Sequence, residues 1–452
     1  MLFVAVDDLR PELGCYGVSG IKSPNIDRLA RRGMVFDRAY CQQAVCSPSR
    51  TSLLTGARPD TTKVWDLVTH FRDAMPDVVT LPQHFRQNGY FVQGMGKIYH
   101  PGYDDPRSWS VPWQTPDAPA YALPESSGRF LADSRKKRNK GAKGPVTEAA
   151  DVADEFYKDG KVANLAVSTL RNLATKNSPF FLAVGFAKPH LPFVAPKKYW
   201  DLYDPAKIAI APNYHRPTGA PEYSLAASGE VRTYRGVEEG VFPEAFRRHL
   251  KHGYYSCVSY MDAQLGKVLD ELDRSNLARN TIVVLWGDHG WKLGEHGEWA
   301  KHSNVENDTN STLIVSAPSV GKAGQHTRAL VEFVDIYPTL AELAGLPLPQ
   351  HLEGTSFRPL LSDPKRAWKP AAFSQYPRGQ RMGYSMRTER YRFTVWVDRK
   401  DHSKVEALEL YDHRTDPGEN TNAASAPGNA DLVKRLMEQW RRGWRGAIPE
   451  RV

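Results

Sequence analysis

Leu2-Phe3-Val4-Ala5-Val6-Asp7-Asp8 is the stretch on which the architecture turns. Five apolar residues with no polar alternation read as a short strand buried on both faces, the habit of a parallel sheet covered by helices. The run stops at two adjacent carboxylates. Phe180–Val184 and Thr281–Trp286 have the same form: short, rich in branched or aromatic residues, and closed by polar or glycine-rich turns. Helical patterns lie between them, at Ile26–Gly33 behind Ser23-Pro24, at Ala163–Ala174, and at Tyr254–Leu272, where apolar residues recur at helix spacing. Strands alternating with helices predict an α/β fold with a large, mostly parallel sheet flanked by helices, which receives ligands beyond the carboxyl ends of its strands.

Outward from that sheet the texture changes twice. From Trp109 to Asp151 the chain is rich in Pro, Ser, Gly and Lys, which predicts long surface insertions. From about Leu352 onward, Met382–Arg387 and Tyr391–Val397 read as antiparallel strands and Asp431–Trp440 as a closing helix. The expected organisation is a main domain over 1–355 and a smaller C-terminal α+β subdomain with an antiparallel sheet over 356–452.

With 452 residues, 41% of them hydrophobic and 25% charged, the chain has the apolar content for a large core. No stretch reaches the ~18 consecutive apolar residues of a membrane span, so none is expected. Met1–Val6 lacks the basic start, long apolar middle and cleavage site of a secretory signal, and a first residue already in a core strand suggests a trimmed start. The net charge of +9 favours polyanionic partners: nucleic acid, anionic lipid or sulfated polysaccharide. Its densest part, Arg135-Lys136-Lys137-Arg138-Asn139-Lys140, reads as a solvated loop or as a contact for an acidic substrate. No nucleic-acid-binding motif accompanies it, and no nucleic-acid partner is expected. The four cysteines, Cys15, Cys41, Cys46 and Cys257, are too few and too irregularly spaced for a disulfide framework or a C-x-x-C zinc site.

Taken alone, Asp7-Asp8 would be a solvated turn or a helix cap. A second strand, however, ends in Gly287-Asp288-His289-Gly290, so two strand ends deliver oxygen or imidazole ligands to one edge of the sheet, which points to a hard metal ion. The most specific segment is Cys46-Ser47-Pro48-Ser49-Arg50, followed by Thr51-Ser52-Leu53-Leu54-Thr55-Gly56. It resembles the signature by which type I sulfatases have a cysteine converted to formylglycine. Asp7-Asp8-Leu9-Arg10-Pro11, Gly96-Lys97-Ile98-Tyr99-His100-Pro101, Lys188-Pro189-His190, Gly287-Asp288-His289-Gly290-Trp291 and Gly294-Glu295-His296-Gly297-Glu298-Trp299-Ala300-Lys301 then follow in family order. Within the family the chain is most similar to the iduronate-2-sulfatase branch, including Met382-Gly383-Tyr384-Ser385 and Tyr391–Val397.

The resemblance implies an alkaline-phosphatase-like sulfatase fold, with 1–355 as the catalytic domain, and a sulfuric ester hydrolase acting on a sulfated saccharide. It implies one Ca²⁺ per chain, held by Asp7, Asp8, Asp288, His289 and the modified Cys46, and a formylglycine-generating enzyme as maturation partner. It gives Arg50 an orienting role, Lys97 and His100 the handling of the nucleophile and its proton, His190 general-acid work on the leaving oxygen, and Lys301 a second sulfate clamp. His296 is expected only to shape its loop. A periplasmic, secreted or lysosome-like compartment is implied too, and the substrate suggested is a uronate 2-sulfate of a glycosaminoglycan or algal polysaccharide. Two departures bear on the pocket rim: His302 follows Lys301, and the long middle insertion looks different. Competing readings are a phosphatase or phosphodiesterase of the same superfamily, which needs a second set of His and Asp ligands, and an inactive homologue that binds sulfated polysaccharide.

Overall fold

The computed structural model describes residues 1–127, 143–176, 178–226, 228–318, 320 and 323–449; the basic run at 135–140 lies outside the described residues. The elements that position the site are, in chain order, β1 (Leu2–Val6), α1 (Pro24–Arg32), β2 (Met34–Phe36), α2 (Cys46–Thr55), β3 (Phe91–Gly96), α3 (Lys158–Ala174), β4 (Phe180–Phe186), α4 (Glu244–Arg274), β5 (Val283–Gly287), β6 (Leu313–Ser316), β7 (Gln325–Thr327) and α5 (Ile336–Leu343). The seven strands form one sheet in the order β7-β2-β6-β5-β1-β4-β3. From β5 through β1 and β4 to β3 every pairing is parallel, as expected. On the other side β6 runs antiparallel to both β5 and β2, which makes the whole sheet mixed.

β1 shows why its sequence has no polar alternation. Leu2, Val4 and Val6 face one core, shared with α1, α3 and α4, while Phe3 and Ala5 face a second core beneath α2 and α5. Burying each of its larger side chains contributes about 1.5–3 kcal/mol, and a carboxylate placed at Val4 would break the first core. The long helix α4 starts ten residues before the expected Tyr254. Its first turns, Glu244-Ala245-Phe246-Arg247-Arg248, are charged enough to hide the apolar period, but Pro243 precedes them with fixed geometry suited to a helix entry.

Part of the stretch expected as surface insertion is ordered sheet. Lys143–Pro145 pairs with Tyr234–Arg235, and Thr147–Ala150 pairs with Phe193–Pro196. At the C-terminal end, β8 (Ala371–Arg378), β9 (Arg381–Thr388), β10 (Tyr391–Asp398) and β11 (Val405–Asp412) form a separate antiparallel sheet in sequential order. The two strands read from sequence are its middle pair, β9 and β10. Leu436 of α6 (Ala430–Arg442) packs with Phe393, Val395 and Leu410 of that sheet. Gln375 of β8 donates its N–H to the Gln42 carbonyl at 2.8 Å, tying this sheet to the segment just before α2. Among the described residues no helix is long and apolar enough to cross a membrane.

Candidate active site

Register assembles the metal-facing edge. β1 and β5 are parallel neighbours with Val6 opposite Gly287, so Asp7-Asp8 and Asp288-His289 emerge side by side. Asp8 adopts a left-handed φ of 58°, and its N–H donates to Asp288 Oδ1 at 3.0 Å. Such a conformation in a non-glycine residue costs energy and is retained where neighbours over-determine it. Lys97 arrives from the far side of the sheet through a close approach of two glycines. Gly96 has φ 68°, where a Cβ would lie 2.0 Å from the Gly185 carbonyl oxygen, and a Cβ on Gly185 would meet the Lys97 carbonyl at 2.2 Å. Only bare backbone on both strands lets the chain turn there and bring Lys97 inward.

α2 supplies the fourth side. All ten of its residues are buried, and it begins at Cys46 directly after extended Val45. Cys46 Sγ lies 3.5 Å from Asp7 Oδ1, 3.5 Å from His289 Nε2 and 3.6 Å from Lys97 Nζ. One turn on, Arg50 is fully buried: its Nε donates to Asp288 Oδ2 at 2.8 Å and its Nη1 to the carbonyls of Lys97 (2.6 Å) and Ile98 (3.0 Å). The Lys97 ammonium pairs with Asp7 Oδ2. Lys301 Nζ lies 3.0 Å from Asp8 Oδ1. His190 Nε2 stands 4.0 Å from Asp8 Oδ2. His100 sits at the margin: its ring stacks near Tyr103, and its Nδ1 is buried without a hydrogen-bond partner.

Asp7, Asp8, Cys46 and His289 each offer one ligand atom, and these atoms all lie within 4.8 Å of one another. His289 Nδ1 faces the Gly290 carbonyl at 2.9 Å, which fixes the proton there and turns the Nε2 lone pair toward the cluster. Asp288 stands at the edge of this group, its Oδ1 3.6 Å from His289 Nε2 and already accepting the N–H groups of Asp8 and His289. Carboxylates converging with an imidazole on one point fit a divalent cation.

This layout of sheet, helix start and converging acids agrees with the comparison to known proteins: residues 1–346 match the sulfatase family, and residues 294–443 match the N-sulphoglucosamine sulphohydrolase C-terminal family. The chain belongs to the sulfatase family. It is 36% identical to iduronate 2-sulfatase of Mus musculus, over 96% of this chain and 92% of that protein, and 35% identical to iduronate 2-sulfatase of Homo sapiens, over 97% and 93%. A sulfatase of Formosa agariphila is 32% identical over 98% of this chain and 87% of its own. Two solved structures share the fold at a TM-score of 0.78: a protein in complex with its substrate D-glucosamine-2-N,6-O-disulfate (21% identity, 99% and 97% covered) and the phosphonate monoester hydrolase of Agrobacterium radiobacter (22%, 98% and 95%). The protein is therefore a sulfuric ester hydrolase, and sulfatases as a family use a metal ion and a formylglycine residue.

The candidate site holds its charges in an uneven balance. Burial would raise Asp7, yet Lys97, His190, Arg50 and Lys301 hold it well below the usual carboxylate range. For its neighbour Asp8 burial wins over Lys301 and the pKa is raised, as expected when two adjacent carboxylates compete for the same cations. Burial, then Asp7, pushes the Cys46 thiol up to about 12, so the unmodified residue is no thiolate nucleophile at neutral pH. Burial and then Lys97 lower His100 to about 4, leaving a neutral imidazole able to accept a proton. His190 goes the other way: burial and Lys301 push it down, but Asp8, Asp7 and Glu230 together raise it to about 9.

Three contributors had no role assigned to them from the sequence, although Ser49 lies within the Cys46 motif. Ser49 donates its hydroxyl to the Asp288 carbonyl, which fastens α2 to the end of β5. The Tyr254 hydroxyl, from α4, donates to the Asp8 carbonyl at 2.9 Å and steadies the strained turn. Glu230 lies in a loop with no motif, and its carboxylate reaches both His190 and Lys301. His296, expected to shape its loop, is buried with φ 57° and donates its N–H to the Asn213 carbonyl.

Proposed function

We propose that this sulfatase removes sulfate from a sulfated saccharide, with Cys46 converted to formylglycine and a calcium ion held by Asp7, Asp8, Asp288, His289 and residue 46. The observation that carries the reading is Cys46 Sγ at the start of α2, 3.5 Å from both Asp7 Oδ1 and His289 Nε2. An oxygen-rich donor set with one imidazole suits a hard cation. When present, the cation would supply Lewis-acid polarisation and the converted residue a hydroxyl nucleophile.

The chain's own residues divide the remaining work. Arg50, fixed by Asp288 and two carbonyls, has an unpartnered Nη2 3.6 Å from Asp7 Oδ1 and orients the side chain at position 46. Lys97 lies beside residue 46 as a fixed positive charge that holds the nucleophile in place. Neutral His100 takes the proton set free as sulfate leaves. His190 has its Nδ1 2.7 Å from the Leu191 carbonyl, which can only accept, so Nδ1 carries a proton there and Nε2 is turned to the leaving sugar oxygen as general acid. Lys301 is the second clamp on the sulfate.

The similarity to two iduronate 2-sulfatases supports a uronate 2-sulfate, met during sulfated polysaccharide degradation, as the substrate. Maturation then requires a formylglycine-generating enzyme, and the compartment is one that holds sulfated polysaccharide: periplasmic, secreted or lysosome-like. The test is mass spectrometry of the Cys46 peptide after production with a formylglycine-generating system, joined to turnover on a panel of sulfated saccharides. An aldehyde at position 46 is expected, and Cys46→Ala should lose turnover by about four orders of magnitude or more. A Cys46→Ala variant that cleaves the panel as well as converted enzyme would overturn the reading.

A further inference from the structure

We infer that Glu230 is an internal occupant of the ester subsite, a carboxylate that stands in for the substrate's sulfate until substrate displaces it, and so sets the affinity for sulfate and its esters. The inference rests on the reading that His190 and Lys301 meet the ester. Glu230 Oε1 lies 3.1 Å from His190 Nε2 and Glu230 Oε2 lies 3.2 Å from Lys301 Nζ. These are the two atoms assigned to the leaving oxygen and to a sulfate oxygen. A single carboxylate spans them, one oxygen to each, and the O–S–O edge of a sulfate ester has a bite closely similar to that of the carboxylate. Glu230 and the ester therefore compete for the same donors.

Neither donor needs Glu230 to stay in place. Lys301 Nζ is also 3.0 Å from Asp8 Oδ1, and His190 is held from its other nitrogen by the Leu191 carbonyl. The chain on both sides of Glu230 is anchored: the Oγ of buried Ser228 accepts the Trp299 N–H at 2.9 Å, the Glu230 carbonyl accepts the Thr233 N–H at 3.1 Å, and Val231 is fully buried. The moving part is thus the side chain, which is 20% exposed against 2% for Lys301 and has a path to water. Ser228, Asp8 and His302 all hold positive φ, at 50°, 58° and 83°, so strained backbone is concentrated around this pair of donors.

The experiment compares wild type with Glu230→Gln and Glu230→Ala, all loaded with calcium and checked for folding by thermal melting. Sulfate binding is measured by calorimetry on unconverted protein, and KM for a sulfated saccharide together with Ki for inorganic sulfate on converted enzyme. Removing the competing charge should tighten sulfate binding and lower KM and Ki, each roughly tenfold. Sulfate affinity that is unchanged or weaker in both variants overturns the inference. So does a fall in kcat with unchanged sulfate affinity, which would make Glu230 a fixed partner of His190. Converted wild type that turns over no sulfate ester would sink the proposed reaction, while the calorimetry would still decide whether Glu230 occupies an anion site.

Discussion

At the carboxyl edge of the main sheet, Asp7, Asp8, Cys46 and His289 gather ligand atoms within 4.8 Å, and beside the C-terminal sheet Glu306, His413 and Glu419 do the same. The two clusters differ in what already fills their valences. Glu419 Oε1 accepts from Arg392 Nε at 2.6 Å and faces His413 Nε2 at 2.7 Å, while its Oε2 accepts the Glu306 N–H at 2.8 Å. Glu306 Oε1 takes the Tyr40 hydroxyl, and its Oε2 takes Arg387 and Arg392. A cation there would have to displace two guanidinium groups. In the candidate active site the acids Asp7 and Asp8 face the single-point ammonium groups of Lys97 and Lys301, and among the described residues Arg50 Nη2 and His100 Nδ1 are buried without partners. Buried charge whose hydrogen bonds are complete has little valence left for a ligand, and a buried polar group left without a partner can accept one from outside. The same contrast weighs against a two-metal phosphatase, because among the described residues the other cluster with metal spacing is the arginine-bound one.

The sharpest way to break the comparison is to neutralise one acid in each cluster. Asp8→Asn should lose the bound divalent ion and lower turnover roughly a thousandfold or more, whereas Glu419→Gln keeps wild-type metal stoichiometry by elemental analysis. The opposite pattern would reverse the assignment. Next in size, Arg392→Met strips the structural cluster of its shared cation and should cost about 3–5 kcal/mol of stability, read as a lowered Tm, with metal content unchanged.

His190→Gln should reduce kcat by about 10²–10³ on a saccharide sulfate and by much less on an aryl sulfate, whose leaving group needs little protonation. Equal losses on both substrates would remove His190 from general-acid work. The smallest effect is on acid stability. Burial alone would raise Glu419, yet Arg392 and His413 hold it at about 2, and Arg58 and Lys369 hold Glu332 at about 2 in the same way. A depressed folded pKa gives stability that is complete above the ordinary value of 4.5 and is lost as pH falls toward 2. Tm measured against pH should therefore fall over that window by the equivalent of about 1–3 kcal/mol, and the slope should be shallower in Arg392→Met.

Much of the candidate site is legible in the sequence. β1, β4 and β5 are apolar runs whose burial on both faces leaves a continuous hydrophobic signature, and acids follow β1 and β5 without a gap. The Cys46 pentapeptide is specific on its own. β2 is only Met34-Val35-Phe36, and β7 is polar Gln325-His326-Thr327. The strand character of these two comes from the neighbours they pair with. Lys97, apart from any resemblance, has the local sequence of a solvated lysine; it is buried because Gly96 and Gly185 let two backbones touch.

The amino-acid order alone carried what is local and chemical: the apolar strands, the helical period of Tyr254–Leu272, and the residue types able to hold a cation or move a proton. Folding in three dimensions settled which charges are neighbours and which are already satisfied, as with Lys301 against Asp8, Glu230 between His190 and Lys301, and Arg392 across Glu306 and Glu419. Hydrogen-bond valence is filled through space by groups far apart along the chain, so no reading of adjacent residues can tell a saturated carboxylate from an open one.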